Sequence, residues 1–438
     1  MRRFAAVLLA STLALAASSA DANPLDTFGY TAKGMSLGGA MTAAAGSYDS
    51  TWYNPAALGM LKGFELGLGA STWRTFLTAK YSARDADGNL VRRSQRRNTS
   101  MRGTGDLGLA SSVPLGKHLD TVLSHRLLYL GLSVVAPGTT LFAVRERPVQ
   151  QPYFPMLEDR NRRLVLNAAA ALRWKWLMVG GGFSFVPTVK GQVTVDFMEG
   201  ENRNRTEVDV GTHLSGNAGL LVEPIPGLTI GLAWRGENRL DLSIPVDAVL
   251  SDKIAPIRLK VTAVDFSTPH ELSLGAAYRR DRFLVTGDVT YYAYHRFRSS
   301  SPSVVLYSSA DEGETYRQMK VPDPGFHDAW AVRLGGEYRP IRPLAIRAGF
   351  SWVQSPVPAQ TGDTNLLDGD RYSGSLGLGF DAEFVGGPPI TIDAAFVGGG
   401  SPPNRDEKEE LIPDNPGYPW VGSEAWYLLG SLSAKVRF

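Results

Sequence analysis

The last thirteen residues alternate without a break. Trp426, Leu428, Gly430, Leu432, Ala434, Val436 and Phe438 fall on one face of an extended strand. Tyr427, Leu429, Ser431, Ser433, Lys435 and Arg437 fall on the other. Strand side chains point alternately to opposite faces, so the segment has one apolar face and one mostly polar face. The pattern recurs at Trp330–Tyr338, Leu344–Trp352, Tyr372–Phe380 and Leu272–Tyr278. These runs approach or exceed the ~9–11 residues that a tilted strand needs to cross a bilayer, whereas soluble strands have a mode of about 5–6. Aromatics sit near the ends of the apolar faces, as in interfacial girdles: Trp330 and Tyr338, Phe350 and Trp352, Trp426 and Phe438. Those faces carry no charge, and a cation there costs ~2–4 kcal/mol at the bilayer midplane.

Coarse strand limits are 64–73, 104–114, 127–136, 162–172, 175–187, 208–222, 228–240, 268–279, 282–296, 328–339, 343–354, 371–383, 389–397 and 425–438, fourteen in all. Leu164–Leu172 is Ala-rich, a helical propensity, but Trp174-Lys175 fits a tight turn between strands. Short connections (Trp174-Lys175, Glu223–Gly227, Arg280-Asp281, Pro340–Arg342, Phe384–Pro388) alternate with long polar ones (74–103, 137–161, 241–267, 297–327, 398–424). Short turns opposite long outer loops are the layout of an outer-membrane barrel. Lipid cannot satisfy an open sheet edge, so the sheet closes on itself. The expected fold is all-β: a 14-stranded antiparallel transmembrane β-barrel with both ends on the periplasmic side.

The N-terminus reads as an export signal. Arg2 and Arg3 precede an apolar Phe4–Ala17, and Ala20-Asp21-Ala22 has the small-x-small form of a cleavage site. Cleavage is placed after Ala22, with Ala20 as the alternative. The organisation is therefore a signal peptide over 1–22, a segment over 23–62, and a barrel over 63–438. The 45 Lys+Arg against 43 Asp+Glu give no electrostatic footprint for nucleic acid. The chain has no cysteine, which removes disulfides, thiolate chemistry and a lipoprotein anchor. Six scattered histidines form no H-x-x-x-H pair, and no nucleotide-binding loop motif occurs, so neither metal nor cofactor is expected.

Residues 23–62 break the alternation. They are rich in small residues, with Gly34, Gly38, Gly39 and the run Ala43–Gly46, followed by Trp52-Tyr53-Asn54-Pro55-Ala56-Ala57-Leu58. Asn is a good helix N-cap and Pro suits the first helical position, so a short helix is expected from Asn54-Pro55 through Leu61. The composition is too uncharged for a disordered tail. The segment is expected to fold inside the lumen.

Phe28-Gly29-Tyr30-Thr31-Ala32-Lys33-Gly34-Met35-Ser36-Leu37-Gly38-Gly39-Ala40, followed by Tyr53-Asn54-Pro55-Ala56, resembles the N-terminal hatch of the FadL/TodX family of long-chain fatty-acid and hydrocarbon transporters. Further resemblance runs from Trp330 to Gly379 and from Pro269 to Tyr278. It implies a monomeric 14-stranded barrel in a Gram-negative-type outer membrane, inserted by the barrel assembly machinery among outer-membrane lipid and lipopolysaccharide. It implies passive uptake of hydrophobic small molecules, captured by the outer loops. Release is sideways through a gap near the third strand, here 127–136 with Gly131 inside it, beside the gating motif Asn54, Pro55 and Ala56. Phe438 fits the terminal aromatic that marks such barrels for assembly.

Loops 241–267 and 297–327 are the expected capture surface. A carboxylate head group would need an inward cation; the inward-facing ones are Arg333, Arg347, Lys435 and Arg437, with Arg333 and Arg347 as the head-group candidates. The alternative is that these pair with Asp288, Glu337, Asp381 and Asp393 in a luminal charge network. Three other functions stay open: an aqueous porin, which a plug opposes; an outer-membrane lipase, for which His270 and His295 have no nucleophile motif nearby; and a surface adhesin or phage receptor using the long outer loops.

Overall fold

The computed structural model describes residues 28–85, 87–99, 101–114, 127–138, 150–157, 164–196, 205–249, 257–296, 303–308, 317–318, 325–383, 387–409 and 417–438. The expected signal peptide and the turn at 384–386 lie outside them. The strands in chain order are β1 (Phe64–Arg84), β2 (Leu90–Arg96), β3 (Arg102–Pro114), β4 (Leu127–Pro137), β5 (Val165–Trp174), β6 (Leu177–Asp196), β7 (Arg205–Ile225) and β8 (Leu228–Arg235). Then come β9 (Asn238–Val249), β10 (Ile257–Thr268), β11 (Glu271–Arg280), β12 (Phe283–Tyr292), β13 (Ser303–Ser308) and β14 (Arg317–Gln318). The last are β15 (Ala329–Ile341), β16 (Leu344–Val353), β17 (Arg371–Ala382), β18 (Ile390–Glu407) and β19 (Trp420–Arg437).

Fourteen of these close a single antiparallel circuit: β1, β3–β8, β11, β12 and β15–β19, with β19 returning to β1. At the seam the backbones of Phe64 and Phe438 exchange hydrogen bonds of 3.1 and 2.8 Å. No backbone edge in the wall is left for lipid to satisfy. Alternation sorts the side chains as expected: Leu376, Val285 and Phe396 stand more than half exposed on the outside, while Asn167, Ser133 and Asp393 are fully buried within.

The Ala-rich stretch is strand β5, paired along its length with β4 and β6. Three tight turns lie one or two residues beyond their expected positions. Lys175 and Asp281 take positive φ of 51° and 52°, so the first two turns centre on Lys175-Trp176 and Asp281-Arg282. A register shift between Tyr338 and Ile341 carries β15 past Pro340, moving the third to Arg342-Pro343.

The larger corrections are on the outer side. β5, β11, β12 and β16 have ten residues each, enough to cross. β1, β6, β7, β18 and β19 have 18 to 21 and continue beyond the bilayer. The stretch 74–103 is therefore not a plain loop: β1 runs on to Arg84 and pairs there with β2. Similarly, 241–267 and 297–327 contain the strands β9, β10, β13 and β14, which pair with one another outside the ring, β9 also running parallel to the far end of β6. Sequence alternation marks where a strand meets lipid. Beyond the membrane both faces are wet, the apolar signal fades, and backbone pairing continues without it.

Candidate functional site: the occupied lumen

Residues 28–61 lie against the inner wall. Three short turns give this segment its path. Thr31, at φ 58°, caps the helical turn Ala32–Ser36 by accepting from the Gly34 N–H at 3.3 Å. Ser50–Tyr53 forms a second turn. The third, Pro55–Met60, is the expected short helix, in 3₁₀ form and with its C-cap at Leu61. Its start is as read from the sequence, since Asn54 Oδ1 accepts from the Ala56 N–H at 3.0 Å with Pro at the first position.

An irregular buried segment has no ladder to satisfy its backbone, and the wall supplies the partners. Asp288 accepts from Thr42 N–H at 2.8 Å. The hydroxyls of Thr286, Thr229 and Ser375 donate to the carbonyls of Ala40, Ala43 and Ser36 at 2.9, 2.9 and 3.1 Å. Asn217 donates to Thr51 O at 3.2 Å. Asn54 Nδ2 donates to Thr42 O at 2.8 Å and to Leu220 O at 3.3 Å, tying two limbs of the segment to β7.

Close approach is made by glycine. Tyr48 packs over Gly67 and Gly108, which oppose each other in β1 and β3. Thr51 and Leu58 press on Gly131 of β4, and a Cβ at Gly219 would overlap Asn54 Oδ1. In the segment itself, Gly38 at φ 66° sits against the backbone of Phe350 and Leu334, and Gly39 at φ 79° lies over the Arg333 side chain. Gly34 is pressed against the Tyr53 hydroxyl, which also donates to Tyr30 O at 3.0 Å. Inward Gly in β4 is thus a packing contact. β4 pairs with β3 and β5 without a register shift, so the wall is closed at the expected third-strand gap.

The segment also buries charge. Asp49 is fully buried, and among the described residues neither carboxylate oxygen has a hydrogen-bond partner. Burial pushes its carboxyl above the ordinary value, with Lys33 opposing. Burial lowers the Lys33 amine to about 8, against the pull of Asp49. Lys33 donates to Ala44 O at 3.2 Å.

The two arginine candidates differ. Arg347 is 2% exposed and pairs with Glu337 and Asp393, each at 2.7 Å. Lys435 joins Asp393 at 3.5 Å, Arg339 bridges Glu337 and Asp381 at 2.9 and 2.6 Å, and Arg279 reaches Glu337 at 3.3 Å. This is the expected charge network as far as Arg347, Lys435, Glu337, Asp381 and Asp393 are concerned; Arg333 and Asp288 stay out of it, and Arg437 pairs with Glu65 at 2.8 Å. Asp288 does not pair with a cation; it serves Thr42.

Arg333 stands outside the network. It donates to the Thr290 and Tyr292 hydroxyls at 2.9 and 2.7 Å, and no described ion pair includes it. It lines a small cavity of about 50 Å³ with Gly38, Gly39, Thr42, Asp288 and Tyr292. Arg235, over the Trp52 ring at 3.6 Å and paired with Glu271 at 3.3 Å, borders the same space. Sequence alone did not separate Arg333 from Arg347, since both alternate inward; the geometry does.

The histidines are accounted for differently. His295 Nδ1 lies 2.6 Å from Asp328 Oδ1, and His270 Nδ1 accepts from Glu237 N–H at 3.2 Å. Among the described residues neither is paired with a serine hydroxyl.

The sequence pattern of the outer membrane protein transport protein family (OMPP1/FadL/TodX) matches residues 167–398. The chain belongs to this family. As a FadL/TodX-family barrel it is an outer-membrane protein. Alkane uptake protein A of Marinobacter nauticus is 22% identical over 175 residues, 39% of this chain and 37% of that one. The long-chain fatty acid transport protein of Escherichia coli is 24% identical over 196 residues, 42% of each. The chain thus spans less than half the length of these curated relatives. The fold likeness is broader. A FadL homologue of Pseudomonas aeruginosa superposes with a TM-score of 0.60 at 17% identity, over 93% of this chain and 98% of that one. The toluene transporter TodX of P. putida gives 0.57 at 15%, over 94% and 99%.

Proposed function

We propose that this FadL/TodX-family barrel takes up hydrophobic small molecules, long-chain fatty acids or hydrocarbons, without an energy source. Residues 23–62 act as its hatch, and the barrel begins at residue 63. The observation that carries this reading is the seated N-terminal segment. It contacts strands around the wall and leaves a cavity of about 50 Å³ beside Arg333. An engineered cavity of ~150 Å³, roughly three times this volume, holds a single benzene. A steady aqueous pore does not fit such a lumen. A gated route that opens for an apolar solute does. The relatives named for alkane uptake, long-chain fatty acid transport and toluene transport support the same class of cargo.

Capture takes place at the outer strands β9, β10, β13 and β14. Each methylene taken out of water contributes ~0.8 kcal/mol, so apolar burial alone can drive entry. Release is sideways near β4. Thr51 hydrogen-bonds Ser133 of that strand at 2.8 Å while Leu58 presses on Gly131, so movement of the hatch frees that section of wall. Arg333 receives the carboxylate of an acidic cargo; Arg347 holds the wall.

Mass spectrometry of small molecules co-purified with the barrel tests the class. Fatty acids or hydrocarbons released on denaturation are expected. Purified protein that binds no apolar molecule, yet passes a large steady ion current in a planar bilayer, would overturn the reading in favour of a porin.

A further inference from the structure

The outer face of β1, β2, β18 and β19 carries a feature that transport does not use. Outward residues follow one another up this face in register. Leu428 stands opposite Arg74, Trp426 opposite Phe76, and Glu424 opposite Thr78, which in turn pairs with Arg96. Above them Gly422 opposes Lys80, and Trp420 lies beneath Arg92 and Arg405, whose guanidinium carbons sit 3.7 and 4.5 Å from its rings.

The lower part is a groove of about 520 Å³ on the lipid side, walled by Phe76, Phe350, Tyr372, Trp426 and Leu428. Its floor is Gly374 and Gly398, which oppose each other in β17 and β18. A Cβ on Gly374 would meet nothing within 4 Å, so the dent is open space rather than tight packing. The upper part is cationic: Lys80, Arg92, Arg96 and Arg405 are met on the described face by Glu424 and Glu407, while Arg74 stands level with the groove and reaches the Phe76 ring at 5.1 Å. Arg74, Arg92, Arg96 and Arg405 are exposed.

Lipid tails surround the whole barrel and are as apolar as its surface, so a greasy dent alone selects no lipid. Cations immediately above it select by charge. Guanidinium groups favour phosphate through paired N–H donors. We infer that this face binds a phosphorylated, multi-acyl glycolipid of the outer leaflet, of the lipopolysaccharide type. One acyl chain occupies the groove over Gly374 and Gly398, and the phosphates lie against Lys80, Arg92 and Arg96. The site is on the outside of the wall and stands whether or not the lumen carries cargo.

Native mass spectrometry of the full-length barrel extracted from outer membranes tests this. The wild-type protein is expected to retain phosphorylated glycolipid, and phosphatidylglycerol in excess is expected not to displace it. A variant with Lys80→Ser, Arg92→Ser and Arg96→Ser should lose retention at least tenfold. Gly374→Leu with Gly398→Leu, which fills the groove, should lower it without changing charge. A heat-dependent gel shift confirms that each variant is folded. Wild-type barrel should also prefer bis-phosphorylated to dephosphorylated glycolipid, a comparison that needs no variant. Equal retention by wild type and the charge variant, equal binding of the two glycolipids, or ready displacement by phosphatidylglycerol would each overturn the proposal.

Discussion

Arg333 and Asp288 stand directly opposite each other on β15 and β12, yet they do not pair. Asp288 accepts from the Thr42 backbone at 2.8 Å, and Arg333 turns to the hydroxyls of Thr290 and Tyr292. The carboxylate is committed to seating the N-terminal segment. The guanidinium keeps its charge facing the cavity. Arg333→Met is therefore expected to leave the barrel folded and to weaken binding of a fatty acid at least tenfold, with little effect on a neutral alkane. Isothermal titration with both ligands checks this; an equal loss for the two would remove Arg333 from head-group recognition.

Arg347 should behave in the opposite way. Its removal leaves Glu337 and Asp393 buried with fewer cations. Breaking a buried pair typically costs ~3–5 kcal/mol. Arg347→Met is expected to lower the thermal or denaturant midpoint of the folded barrel clearly, while binding selectivity among cargoes is retained. Wild-type stability in this variant would contradict the network role.

Asn54 holds three backbone groups at once: Ala56 N–H, Thr42 O and Leu220 O. Loss of a cap of this kind costs ~1 kcal/mol, and the buried carbonyls left behind add to it. Asn54→Ala should loosen the segment and raise single-channel conductance in planar bilayers. Gly219→Val should act alike, because its Cβ would overlap Asn54 Oδ1. Gly374→Ala, on the open lipid side, is the control and should leave conductance at the wild-type level. A silent Gly219→Val would mean that this contact does not hold the segment.

Deleting 23–62 should give an inserted but leaky barrel. An ion current unchanged from the intact protein would count against the hatch.

Lys33 makes seating pH-dependent. Its amine is lowered to about 8 in the seated segment, against an ordinary value near 10.5. Between these values a withdrawn segment binds more protons than a seated one. Seating therefore gains as pH rises from about 8 toward 10.5. Below about 8 both forms are charged and the burial cost is borne in full. The raised Asp49 works on the acid side: seating is favoured when its carboxyl is protonated and costs more as pH rises above the ordinary carboxylate range. Reductive methylation of Lys33, followed by mass spectrometry, should show a midpoint near 8. A midpoint near 10.5 would falsify the burial argument.

The sequence by itself determined the wall. Strict alternation in Trp426–Phe438, Leu344–Trp352 and Tyr372–Phe380 fixes which faces meet lipid, because a period of two admits one register of burial per strand. Lipid then forces closure, since no edge can be left open. The start of the Asn54-Pro55 turn was legible because capping is a local rule. Three things were not local. The outward Lys80, Arg92 and Arg96 were invisible as parts of strands, because β1 continues beyond the lipid where alternation carries no hydrophobic signal. The pairing of β10 with β9 and β13 rests on backbone hydrogen bonds, which composition does not encode. The difference between Arg333 and Arg347 was likewise decided by tertiary structure. Both point inward, and only the closed ring shows that Glu337 and Asp393 converge on one while Thr42 draws Asp288 away from the other.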